Sequence, residues 1–270
     1  MESSKLKNIV LIILLVTNLL LLLLLGTQRW EHRQSETQAL NSAVELLAEK
    51  GISLNPDILP RGEFAAPLSV EPDAAGEKDA FSALLGPSTA LTQRGLVAYY
   101  TGPLGEAELR EDGSFSLSLS PGQFVPQGES PAEYAQGILR RIGFEGTVLS
   151  ADADSVTILQ MQDGAPVFSC QAKAVYQDGS LVSVVGRRLS GKVLPAAGQP
   201  APLSLATLLV RFRSGIIESG DACSAILETT QGYLLSDRSG STAQLVPVLL
   251  VVSDANRYYV NALTGSLQRA

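Results

Sequence analysis

Apolar and polar positions change their period along this chain, and the changes divide it. Residues 9–25 are apolar except for Thr17 and Asn18. As a helix of ~1.5 Å rise that run reaches roughly 26 Å, near the ~30 Å thickness of bilayer hydrocarbon. Beyond it, Leu40, Val44 and Leu47 recur at helical spacing, and Gly51 suits a left-handed cap. Asn55-Pro56 and Leu59-Pro60 then impose extended chain. Residues 61–78, rich in Pro, Ala, Gly and Glu, read as a link, and 77–85 as a short helix ended by Gly86-Pro87.

From residue 95 the period becomes two. "GLVAYYTG", "GEAELRED" and "GSFSLSLS" alternate as a small antiparallel meander. Ser130 caps and Pro131 opens the helix of a second unit, with Tyr134, Ile138 and Ile142 on one face. The strands "DSVTILQMQ", "APVFSCQAKAVY" and "SLVSVVGRRL" follow it, joined by turns containing Asp-Gly. The helix of a third unit carries Leu205, Leu208, Leu209 and Phe212 on a stripe, ahead of strands over 225–235, 245–252 and 258–262. The predicted class is α+β, an N-terminal single transmembrane helix followed by repeated helix-plus-three-strand antiparallel units. The expected divisions are a cytoplasmic tail over 1–8, an anchor over 9–27, a juxtamembrane helix and exit segment over 28–60, a linker and first unit over 61–128, a second unit over 129–195 and a third over 196–270.

Lys5 and Lys7 precede the apolar run, and Arg29 and Trp30 follow it, as suits an interface. "LLLLLGTQRW" lacks the small-residue pair of a cleavage site. The expectation is a retained single-pass anchor in the cell membrane, N-terminus cytoplasmic and C-terminal part extracytoplasmic. Asn18, an amide within the span, is a candidate for lateral contact with a membrane partner, the alternative being a polar residue merely tolerated there.

A net charge of −7 disfavours nucleic acid as a partner. Arg140-Arg141 and Arg187-Arg188 are isolated pairs, read as solvated faces. The single histidine, His32, lies just past the anchor, no GxSxG occurs, and neither GxGxxG nor GxxxxGK[ST] is present. Asp152 and Asp154 in "SADADS" lack the remaining ligands of a calcium loop and read as a solvated turn. Cys170 and Cys223 are far apart in sequence, and both a bridge and two free thiols stay open. No catalytic, cofactor-binding or metal-ligating residue is expected.

The closing stretch "YYVNALTGSL" over 258–267, with "LSLATLLVRF" and "QGYLL" before it, resembles PepSY-like modules. Together with "TNLLL" at 17–21, "AVELLAEKGISLNPDILP" at 43–60 and "QLVPVLLVV" near the end, the chain resembles the YycI family. Leu249 stands where that family favours tryptophan. The resemblance implies a non-enzymatic, membrane-anchored, extracytoplasmic regulator of a membrane sensor histidine kinase in a Gram-positive two-component system, acting beside a YycH-like protein. An exported inhibitor or scaffold acting on a protease or cell-wall hydrolase is the alternative. Tyr258 and Tyr259, on opposite sides of the last strand, are the candidate contacts of the exported part.

Overall fold

The computed structural model describes Leu14, Thr17, Asn18 and residues 35–236 and 242–270. Helix α1 occupies residues 35–48. Strand β1 (Ser53–Leu54), a 3-10 turn over Pro56–Ile58 and β2 (Leu68–Glu71) follow. One plan then recurs, a helix and four strands in sequence. The first copy is α2 (Ala74–Leu85) with β3 (Ala90–Arg94), β4 (Val97–Gly102), β5 (Gly105–Arg110) and β6 (Ser114–Leu119). The second is α3 (Pro131–Arg141) with β7 (Gly146–Ala151), β8 (Ser155–Gln162), β9 (Ala165–Gln177) and β10 (Ser180–Arg187). After β11 (Lys192–Pro195) comes α4 (Leu205–Ser219) with β12 (Ala225–Leu235), β13 (Ala243–Ser253), β14 (Arg257–Asn261) and β15 (Leu267–Arg269).

Local chemistry sets these boundaries. Ser130 and Glu133 form a reciprocal capping box at α3, while Ser204 accepts from Thr207 N at 3.3 Å to start α4. Gly220, at φ 68°, ends α4 in the left-handed conformation. In β6 the alternation is direct: Phe115, Leu117 and Leu119 are buried, and the serines between them face the other way.

Among the described residues fifteen strands join one mixed sheet, whose main path runs β11-β2-β13-β12-β9-β10-β6-β5-β4-β3. The first two copies meet along their last strands, β6 antiparallel to β10 with Leu117 opposite Val184. The third joins through a parallel contact of β12 with β9, Tyr233 opposite Val167. Helices α2 and α3 cover one core, with Phe81, Leu117, Ile138, Phe144 and Ile158 at its centre. Helices α1 and α4 contribute Leu47, Leu208, Leu209 and Phe212 to a second, which also holds Tyr258 and Val260. Val70, Val167, Tyr233 and Leu245 fill a third cluster at the join.

Beneath these layers a buried charge ties the first two copies together. Arg188, just past β10, is 3% exposed. Its Nη1 donates to Ile142 O at 2.6 Å, satisfying a carbonyl at the end of α3, where the helix dipole favours a cation. Its Nη2 lies 3.1 Å from Glu77 Oε1 on α2, and its guanidinium sits 5.4 Å from the Phe81 ring centroid. Ser190 Oγ also bonds Glu77 Oε1. Backbone amides anchor this segment, Arg188 N donating to Gly113 O at 2.9 Å and the next residue's Leu189 N to the Gln160 side chain at Oε1, 2.8 Å away. Burial lowers the Arg188 pKa from its ordinary value against the opposing pull of Glu77, and burial raises that of neighbouring Tyr100.

Several expectations are corrected here. The repeated helix-plus-three-strand architecture is replaced by four strands per helix within one continuous sheet, which includes parallel contacts of β1 and β9 with β12. Among the strands unrecognised in sequence are β3, β7 and β15, and the reason is common to these three. β3 is exposed throughout, and β7 and β15 are largely so. Without a buried face, period-two alternation has no cause. The segment read as a linker contains β2, paired with both β11 and β13. Arg188 is no solvated residue, because continuing the inward phase of Val184 by twos through Gly186 carries it into the interior. The transmembrane anchor, the single-pass membrane location and the extracytoplasmic placement built on it are also corrected. Among the described residues no helix is long and apolar enough to cross a membrane. The run proposed as the anchor lies outside the described residues apart from Leu14, Thr17 and Asn18. The residue 35–48 helix packs Ala43 and Leu47 into the second core.

Ending the chain after Asn256 removes β14 and β15, deleting buried Tyr258 and Val260 and stripping cover from Leu208, Leu209 and Phe212. Each large apolar side chain is worth ~1.5–3 kcal/mol on burial, so the loss rivals a whole stability of ~5–15 kcal/mol. The truncated protein is expected to show no cooperative melting of the third copy in calorimetry. A transition matching that of the intact chain would make these strands an appendage.

Candidate functional site

The third copy carries an open groove of about 520 Å³ between the exposed side of α4 and the strands β14 and β15. Its floor is set by Tyr258, 1% exposed on β14. The phenol ring meets Phe212 edge-on at 5.7 Å between centroids. Its hydroxyl donates to Asp221 Oδ2 at 2.9 Å and accepts from Asn256 Nδ2 at 3.3 Å. Burial, then the bond to Asp221, raises the Tyr258 pKa, so the hydroxyl stays protonated and serves as a donor. Asp221 follows Gly220, and the left-handed turn there brings its carboxylate to the groove. Asn256 also receives a bond from Arg269 Nη2.

Two glycines allow the walls to approach. A β-carbon on Gly215 would stand 2.8 Å from Leu267 Cδ2, and one on Gly265 would stand 2.7 Å from Arg211 Cγ. Arg211 thus lies with its stem over the β14-β15 turn at one end, while Glu218 and Asp221 mark the other. The β13-β14 turn is locked separately: Asp254 accepts from Ser224 Oγ at 2.6 Å and from Ser224 N at 3.0 Å. Those bonds, the side-chain one first, hold the Asp254 carboxyl below its ordinary pKa. Its contribution is present above the unfolded carboxylate range and fades as pH falls through the lower folded value.

The three residues singled out in sequence are not gathered at one place. Tyr258 lies in the groove. Tyr259, half-buried on the opposite side of β14, packs against Phe168 with centroids 5.4 Å apart. Asn18 is helical and exposed. Arg211 and Asp221 carried no sequence signal, since either reads as a surface charge until the fold brings α4 beside β15. The mid-helix Gly215 was the available clue, because glycine there is unfavourable without a packing reason. Cys170 and Cys223 are both free thiols, with burial raising the pKa of Cys170 to about 11. Among the described residues, no group of three or more His, Cys, Asp or Glu is placed to hold a metal ion.

The class defined by these features is an α+β protein with a single mixed sheet, its helices packed over two cores, and an open charged groove at a sheet edge. No protein-family model matches the chain, and no curated protein matches it. Among solved structures it is similar to the crystal structure of an uncharacterized protein from Eubacterium rectale ATCC 33656. That similarity has 10% identity over 81% of this chain and 85% of the other, with a TM-score of 0.41, and carries no functional argument.

Gly215→Ala tests the groove's construction by its sign. Helix propensity alone favours alanine by ~1 kcal/mol, whereas overpacking against Leu267 opposes it by ~1–3 kcal/mol. The variant is expected to melt below the parent in urea or heat. A higher midpoint would show that α4 and β15 are not held at this spacing.

Proposed function

We propose that the chain is a non-catalytic regulatory protein that acts by binding another protein through the groove between α4 and β15. The observation that carries this reading is the groove's lining. Tyr258, Arg211, Glu218, Asp221 and Arg269 bring opposite charges and a buried aromatic floor to one open trough, unlike the mostly apolar enclosure typical of small-molecule sites. The resemblance of residues 43–60 and 258–267 to the YycI family supports a sensor histidine kinase as the partner, with a YycH-like protein beside it.

A photoreactive amino acid placed at Ser219, exposed at the end of α4 and lining the groove, tests the reading in the native cell. Irradiation is expected to join the chain to a sensor histidine kinase, identified by mass spectrometry, and Glu218→Arg, a change at an exposed groove residue, is expected to reduce the adduct strongly. Capture of a protease or cell-wall hydrolase instead would replace the regulatory reading with an inhibitory one. Absence of any adduct would remove the groove as the contact.

A further inference from the structure

The main-chain bonding of β15 indicates how a partner occupies the groove. β15 is paired with β14 alone. Asn261 N donates to Ser266 O at 2.9 Å, and Ala270 N to Arg257 O at 2.9 Å. Between these lie the pairs Val260 with Leu267, Tyr259 with Gln268 and Tyr258 with Arg269. Hydrogen-bonded and non-hydrogen-bonded pairs alternate in an antiparallel ladder. Ser266, Gln268 and Ala270 therefore turn their backbone groups toward β14, and Leu267 and Arg269 turn theirs away from it. Both of these outward residues line the groove. Their N–H and C=O groups, two residues apart, are spaced as an added strand requires.

The side chains above this edge give the occupant its charge. From Arg211 to Glu218 the helix rises about 10 Å at ~1.5 Å per residue, the length of roughly three strand residues at ~3.4 Å. Same-face side chains on a strand recur every second residue.

We propose that the groove takes an extended segment of the partner protein as a strand added to β15, with an acidic side chain of that segment at Arg211 and a basic one, two or four residues away, at Glu218 and Asp221. This deepens the regulatory binding role and rests on it. Main-chain bonds to Leu267 and Arg269 provide affinity, and the two charged ends fix register and direction. Gly215 and Gly265 serve the site by keeping α4 close over the strand edge.

The full chain is panned against a display library of short peptides, and enriched sequences are synthesised for titration. The selected peptides are expected to alternate apolar residues and to carry opposite charges at even spacing. Arg211→Glu is expected to weaken the acid-bearing peptide by about tenfold or more, with affinity restored when the peptide's acid is exchanged for a base. Arg269→Pro removes an outward amide while leaving the bonds to β14, and relative to Arg269→Ala, which lacks the same side chain, it is expected to weaken binding by a similar factor with little change in melting midpoint. Should that variant unfold, peptides N-methylated at alternate positions ask the same question of the unaltered chain. One phase of methylation is expected to abolish binding and the other to be tolerated. No enriched peptide, a helical consensus, or binding indifferent to both Arg211→Glu and N-methylation overturns the proposal. A kinase adduct at Ser219 alongside such indifference would remove strand addition and leave the regulatory role standing.

Discussion

The guanidinium of Arg188 is the constraint on which the arrangement of the first two copies depends. It reaches Glu77 on α2, the terminal carbonyl of α3 at Ile142 and the face of Phe81, while its own backbone is pinned to Gly113. A cation so buried is costly unless paired, and the pairing geometry exists only when β6 and β10 lie side by side beneath both helices. Hydrophobic burial drives the layers together without specifying how they align. The buried charge supplies the alignment, because any slip of α2 against α3 leaves it unpaired. It also fixes the chain direction into Ser190 and β11, which pairs with β2 and so leads to the third copy.

How much of this was legible in the sequence follows from what creates a pattern. Ser130-Pro131, the stripe of Leu208, Leu209 and Phe212, and the alternation of β6 are visible because caps and buried faces impose residue types locally. Edge strands leave no such mark, so Ala90–Arg94 and Leu267–Arg269 show no alternation that would announce them as strands. Counting three strands instead of four concealed that the copies fuse into one sheet. Arg188 was misread because charge suggested solvent, although its position two steps beyond Gly186 kept the inward phase of the strand. The groove was beyond local reasoning, since Asp221, Tyr258 and Arg211 meet only through the packing of α4 on β14 and β15.

The exposed strand edges differ in what surrounds them. β3 offers a strand edge in the open, with Arg94 placed 5.7 Å from the Tyr99 ring centroid, a charged residue of the kind that discourages edge association. β15 is shorter but lies under α4, where two close-approach glycines and an opposed pair of charges surround it. A strand added there would meet selective side chains as well as main-chain donors and acceptors. Its foundation is Tyr258, which belongs to the second core and to the groove at once, so recognition and folding share that residue.

The role given to Arg188 is tested most directly by a double-mutant cycle of Arg188→Met and Glu77→Gln, read by urea denaturation. Removing one member of a buried pair costs ~3–5 kcal/mol, and contacting residues couple by ~0.5–3 kcal/mol. The account expects Arg188→Met to destabilise the chain by an amount in the first range, and the double variant to lose markedly less than the sum of the single losses. Strictly additive effects, or an Arg188→Met midpoint equal to the parent's, would contradict it.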